Sequence, residues 1–218
     1  MPNLPAAREA FIEMAQAIEL FSINEVANDY ENTLSRWIVD VANGNMSGRT
    51  LRSQMRDLIL EKSEEVYTEG MREGGIPDDE LALDDDDKAT IRDWVLGQVE
   101  HISDFADAAE TVHELTGDER TAARDAMLDR VGYWVDNLRS LGGLGLASAK
   151  KNMMVEWEFG DTQHCDTCAS LNGKRKRIKW FIDNGYIPQE RGSDTLDCGG
   201  WNCQCRLKND DGGTILPA

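Results

Sequence analysis

The chain has 218 residues, 40% of them apolar and 29% charged, with a formal net charge of -18. That balance excludes a disordered or fibrous chain, and the length allows one large domain or two small ones. No apolar run is long enough for a single-helix membrane span, and the N-terminus lacks the basic start and apolar run of a secretory leader.

Pro5 fits the first turn of a helix, and Phe11, Met14, Ile18 and Phe21 then recur at helical spacing. Val26, Tyr30, Leu34, Trp37 and Ile38 carry the stripe to Val41, with a break expected near Ser22. Asn43-Gly44-Asn45 reads as a stop and turn. The next helix is expected from about Arg49 to Arg72, on Leu51, Met55, Leu58, Ile59 and Val66, ended by Gly74-Gly75-Ile76-Pro77.

Asp78-Asp79-Glu80 and Asp84 to Asp87 lack the alternation, central glycine and final glutamate of a calcium loop. They read as a solvated loop and an acidic first helical turn, which the helix dipole favours. Ile91, Trp94, Val95, Ile102, Phe105, Ala109 and Val112 make the stripe of a long helix. Thr116-Gly117-Asp118 breaks it, and Met127, Val131, Trp134, Val135, Leu138 and Leu141 make another. His101 and His113 have no ligand set at short spacing and read as structural, as do Trp94 and Trp134. Leu141 to Leu146, with Gly142, Gly143 and Gly145, lacks the lysine and hydroxyl residue of a phosphate loop. It reads as a hinge, with an exposed linker near residues 142–150. Met153, Val155, Trp157 and Phe159 alternate with Met154, Glu156 and Glu158, as in a strand.

Residues 1–160 hold 15 basic and 33 acidic side chains, while residues 161–218 hold 8 of each and all five cysteines. The expected fold is therefore α+β: an acidic helical domain over 1–145 and a small α/β or β-rich cysteine domain over 146–218. The acidic part repels nucleic-acid phosphates and suits a basic partner.

Cys165-x2-Cys168 can hold one side of a tetrahedral zinc, and Cys198, Cys203 and Cys205 offer the other. The favoured ligands are Cys165, Cys168, Cys198 and Cys203, with Cys205 and His164 as alternates. Unmetallated cysteines or a disulfide stay open as readings. A closed four-thiolate site has no free coordination position, so a structural zinc is expected rather than a catalytic one. Lys174, Arg175, Lys176, Arg177 and Lys179, beside Trp180 and Phe181, form a basic cluster. It reads as a surface turn between strands, as a contact for an acidic protein, or as a contact for nucleic acid through phosphate binding and base stacking. Residues 185–193 read as a connecting loop and Asp210-Asp211-Gly212-Gly213 as a tail. Asn202 and Gln204 are candidates for hydrogen bonds beside the cysteines.

The order of these motifs resembles the C-terminal region of the Mu-F-like, or minor head protein, family of tailed bacteriophages. The likeness rests on residues 153–208: a strand, Gly160-Asp161-Thr162, Cys165-x2-Cys168, Leu171-Asn172-Gly173 and Asn202-Cys203-Gln204-Cys205-Arg206. Gln204 stands where the family's last motif carries arginine, and Cys198-Gly199-Gly200 where many members carry proline and histidine. The resemblance implies a non-enzymatic minor component of the phage head, in a large assembly with the portal or major capsid protein. It implies a role in head morphogenesis, with DNA packaging or delivery, and residence in the virion head or, during assembly, the host cytoplasm. It transfers no catalytic residue. The rival reading is a zinc-ribbon-like nucleic-acid-binding module. A hydrolase using His164 with Cys165 lacks a third, orienting residue.

Overall fold

Apolar residues three and four apart become four long helices in the structure, a computed structural model. It describes residues 4–189, 193–201 and 203–216, with side chains from Ile23 onward. The helices are α1 (Leu4–Ala42), α2 (Gly48–Glu73), α3 (Asp85–Glu114) and α4 (Gly117–Ala149). The break expected near Ser22 is absent, because α1 is one helix through that position. A single serine costs a helix little when the stripe continues on both sides. The Asn43-Gly44-Asn45 stop, the second helix and the break before α4 lie where the spacing puts them.

Each stripe turns inward. Tyr30, Leu34 and Ile38 of α1 meet Leu51, Met55 and Ile59 of α2, Ile102 and Phe105 of α3, and Val131 and Leu138 of α4 in one core. Burying a side chain of this size contributes roughly 1.5–3 kcal/mol, so this core is the main support of the helical region. Trp134 packs edge-on against Phe105, with ring centroids 5.5 Å apart, as a packing anchor. His113 lies against the Gly44 turn, and His101 is exposed.

The helix ends are tied down by side chains. Ser47 accepts from the Thr50 N–H at 3.2 Å at the start of α2, and Glu110 of α3 accepts there from the Gly48 N–H at 3.2 Å. Asp84 and Asp87 form a reciprocal capping box at the start of α3. The acidic run is thus the acidic first turn expected of it.

The glycine run is not a hinge. Residues 142–146 lie inside α4, and Gly142, Gly143 and Gly145 are buried. A Cβ on Gly145 would stand 2.0 Å from the Tyr67 carbonyl oxygen, and one on Gly70 would stand 1.9 Å from the Gly142 carbonyl oxygen. The missing side chains let α2 and α4 approach backbone to backbone, and this packing restrains a segment that glycine alone would loosen. The linker expected at 142–150 is accordingly helix through Ala149.

After α4 come β1 (Met154–Glu158), α5 (Asp166–Leu171), β2 (Arg175–Arg177), α6 (Ile178–Asp183), β3 (Arg206–Asn209) and β4 (Thr214–Leu216). The strands form one antiparallel sheet in the order β2-β1-β3-β4. Val155 and Trp157 of β1 point inward, as the alternation predicts, and Trp157 pairs with Leu207 across the sheet. They join Leu171, Ile178, Phe181 and Leu216 in a second core, which also takes in Ala147 of α4. One helix therefore serves both cores. The chain is α+β: a helical N-terminal region followed by a smaller β-rich region that carries the cysteines.

Two further expectations change. The basic cluster is not a turn: Arg175 to Arg177 form the edge strand β2, and Lys179 lies in the first turn of α6. Asp210 to Gly213 are not a tail but the turn of the β3–β4 hairpin, and Leu216 beyond it is fully buried. Asp-Asp-Gly-Gly is good hairpin-turn chemistry, and only the pairing of a following strand distinguishes it from an end. No helix among the described residues is long and apolar enough to cross a membrane.

Candidate metal centre

Cys165 caps the N-terminus of α5, and its sulfur accepts a hydrogen bond from the Cys168 N–H at 3.4 Å. The two-residue spacing thus brings both sulfurs to one end of the short helix. Thr167, between them, ties in the third thiol. Its N–H and hydroxyl both donate to Asp197, at 2.9 and 2.6 Å, and the Asp197 N–H returns a bond to the hydroxyl at 3.3 Å. Asp197 immediately precedes Cys198. The Thr167 hydroxyl, then its N–H, hold the exposed Asp197 carboxyl below the usual carboxylate range. Gly199 and Gly200, at φ 56° and 72°, then fold the chain sharply, a conformation that glycine adopts freely.

Cys203 and Cys205 arrive on the strand side, just before β3. A Cβ on Gly160 would meet the Gln204 carbonyl oxygen at 2.2 Å, so the loop after β1 runs directly against this segment. Gln189 donates to the Cys205 carbonyl at 3.1 Å. His164, stacked on Phe159 at 3.7 Å, places Nδ1 3.6 Å from the Cys205 sulfur. Gln204 is exposed, and Asn202 lies outside the described residues.

The five thiols are free and form two groups. Cys165, Cys168 and Cys198 lie within 4.8 Å of one another, as do Cys168, Cys203 and Cys205. Both groups are geometrically compatible with a structural zinc site, and thiolates with one imidazole nearby are the donors zinc takes. The four cysteines favoured from spacing are divided between the groups, and Cys205 belongs to one of them.

The environment differs from thiol to thiol. Burial works to raise Cys165, but hydrogen bonds from the backbone and thiol of Cys168, and then from Cys198, outweigh it and lower its titration. Burial raises Cys168, helped by the Cys165 hydrogen bond and the neighbouring sulfurs. Burial likewise raises Cys198 and Cys203. Without a cation, burial thus favours the thiol form at Cys168, Cys198 and Cys203. A bound divalent ion inverts that preference, because its charge stabilises the thiolates.

The basic residues lie on and beside the edge strand β2. The β2 residues are exposed, and β2 pairs only with β1. Lys174 and Lys176 stand 5.4 and 6.0 Å from the Trp180 ring centroid, within cation–π reach. Arg175 pairs with Asp210, and Lys179 with Asp183 at 3.0 Å. Each of these four cations thus has a neighbour of its own within the region.

One polar site had no signal beyond an acidic run. Asp87 is buried and accepts from the hydroxyls of Tyr67 on α2 and Ser148 on α4, both at 2.7 Å. It thereby joins three helices beside the second core. Burial opposes its charge, but the Tyr67 and Ser148 hydroxyls and the Asp84 N–H outweigh that and hold its carboxyl below the usual range. Burial, and then Asp87, push the Tyr67 phenol upward.

No protein-family model, curated protein or solved structure matches this chain.

Proposed function

We propose that this protein is a non-enzymatic binding protein whose C-terminal region is a zinc-ribbon-like module for nucleic acid. In this reading a thiolate-bound zinc holds the module in shape, and β2 lies along the phosphate backbone. The observation that carries it is the row Arg175-Lys176-Arg177 on an exposed edge strand, flanked by Lys174 and by the Trp180 ring. Cations spaced along an edge can each neutralise a phosphate, and a neighbouring aromatic supplies a stacking face. The same charges keep the edge from pairing with other strands. The acidic helical region repels the same ligand and confines contact to one end of the molecule.

The test is a fluorescence titration of the full chain with single- and double-stranded DNA at low and raised salt. Binding should weaken steeply with salt, and K174Q/R175Q/K176Q/R177Q should abolish it. Binding that ignores both salt and the four substitutions would reject the reading.

A second reading follows from the order of the motifs, with Cys165-x2-Cys168 after a strand and Cys203-Gln204-Cys205 at the start of another. Here the chain is a minor head protein of a tailed phage, attached to the portal or inner capsid, and any nucleic acid it touches is packaged DNA. Purified heads should contain it in fixed ratio to the portal, and Cys165→Ser/Cys168→Ser should lower that ratio. Undiminished incorporation of a chain with a demonstrably unfolded C-terminal region would exclude docking through that region.

A further inference from the structure

The thiols outnumber the corners of one tetrahedral ion, and they do not surround a single centre. Four sulfurs around one zinc, each about 2.3 Å from the metal, lie roughly 3.8 Å from one another. Two separate trios approach that spacing, and Cys168 is their one shared member. Its sulfur is 3.9 Å from that of Cys203. Among the described residues, no further cysteine, histidine or carboxylate joins either trio within the same 4.8 Å reach. His164, with Nδ1 3.6 Å from the Cys205 sulfur, stands next to the second trio.

We propose that this cluster binds two zinc-class divalent ions bridged by the Cys168 thiolate. Cys165, Cys168 and Cys198 hold one ion. Cys168, Cys203, Cys205 and, after a small approach of its ring, His164 hold the other. The five thiols release their protons to solvent as the ions bind. Five thiolates and two divalent cations leave a formal charge of about -1, against about -2 for four thiolates on one zinc. Burial follows the same division. Cys168, Cys203 and Cys205 are buried, whereas Cys165 and Cys198 are half-buried. The second ion is the enclosed one, and the first keeps a coordination position on the more exposed side for water or a donor from a partner. Cys168 suits the bridge because it belongs to both groups and its α5 turn already orders Cys165.

The inference requires the cysteine groups but not nucleic-acid binding or a phage role, so it stands or falls separately from them. Native mass spectrometry of the full chain, purified without added metal and titrated with zinc, should saturate at two ions per chain. Saturation at one ion, or no binding, would overturn the proposal. C165S/C198S and C203S/C205S should each fall from two ions to one. Retention of both ions by either variant, or loss of all metal from both, would equally overturn it. A readout on the unmutated chain guards against misfolded variants. Loaded with cadmium-113, it should give two resonances split by coupling through one sulfur; a single resonance, or two uncoupled ones, argues decisively against a bridge.

Discussion

The helical region and the cysteine region solve the same problem by different means. The helices are 26 to 39 residues long and meet in one apolar core with residues from all four. The sheet region has strands of three to five residues, helices of six, and a smaller core. A core of that size supplies little surplus over chain entropy, and its two cysteine groups are placed where a bound zinc would add the cross-links that apolar area makes unnecessary elsewhere. The comparison teaches that the two regions should respond to different insults.

Metal removal should separate them most. Structural zinc contributes on the order of 10 kcal/mol to small domains. A strong chelator should abolish the near-ultraviolet signal of Trp157, Trp180 and Phe181, while far-ultraviolet helical dichroism stays near its starting value. Joint loss of both signals would show that the helical region leans on the metal as well.

The reverse experiment targets the helix interface. Gly145→Val drives a side chain into the Tyr67 carbonyl, and the expected loss of about 3 kcal/mol in urea unfolding exceeds the roughly 0.5 kcal/mol that valine's better helix propensity returns. In the unmutated chain, residues 142–149 should resist limited proteolysis, which a flexible linker would not.

Asp87 lies where the two regions meet, and Asp87→Asn should cost about 2 kcal/mol at neutral pH by weakening hydrogen bonds to a buried charge. Its folded titration is shifted downward. Its contribution is therefore complete above the unfolded carboxylate pKa of about 4 and fades as the pH falls through the lower folded value. The asparagine variant should lack that part of the acid limb when stability is followed by urea titration from pH 7 to pH 2. The smallest effect belongs to the exposed Arg175–Asp210 pair, where Arg175→Gln should change stability by less than about 0.5 kcal/mol.

Periodicity made the helices and β1 legible, because each turns one regular face to a core. Cysteine spacing made the candidate metal ligands legible as a set, since a zinc site requires convergent sulfurs whatever the fold. The division into two trios was not, because it depends on Asp197 fastening to Thr167 and on the Gly199-Gly200 turn, both tertiary outcomes. The glycines of α4 mislead for a related reason. Gly142 and Gly145 look the same in a hinge as in a close helix crossing until the opposing backbone at Gly70 and Tyr67 is in view. Asp87 was hidden among identical neighbours, of which it alone faces Tyr67 and Ser148.

The sheet order has a consequence for synthesis. β1 lies between β2 and β3, and its register pairs Val155 with Asn209, more than fifty residues later. Cys168 likewise precedes Cys198 by thirty residues. At translation rates of roughly 5–20 residues per second, the first two thiols wait some seconds for their partners, while the helices made before them can already pack. During that interval the cysteines are open to oxidants and to any free metal ion. The yield of the folded C-terminal region should therefore follow the zinc supply at the moment of translation more closely than zinc added afterwards.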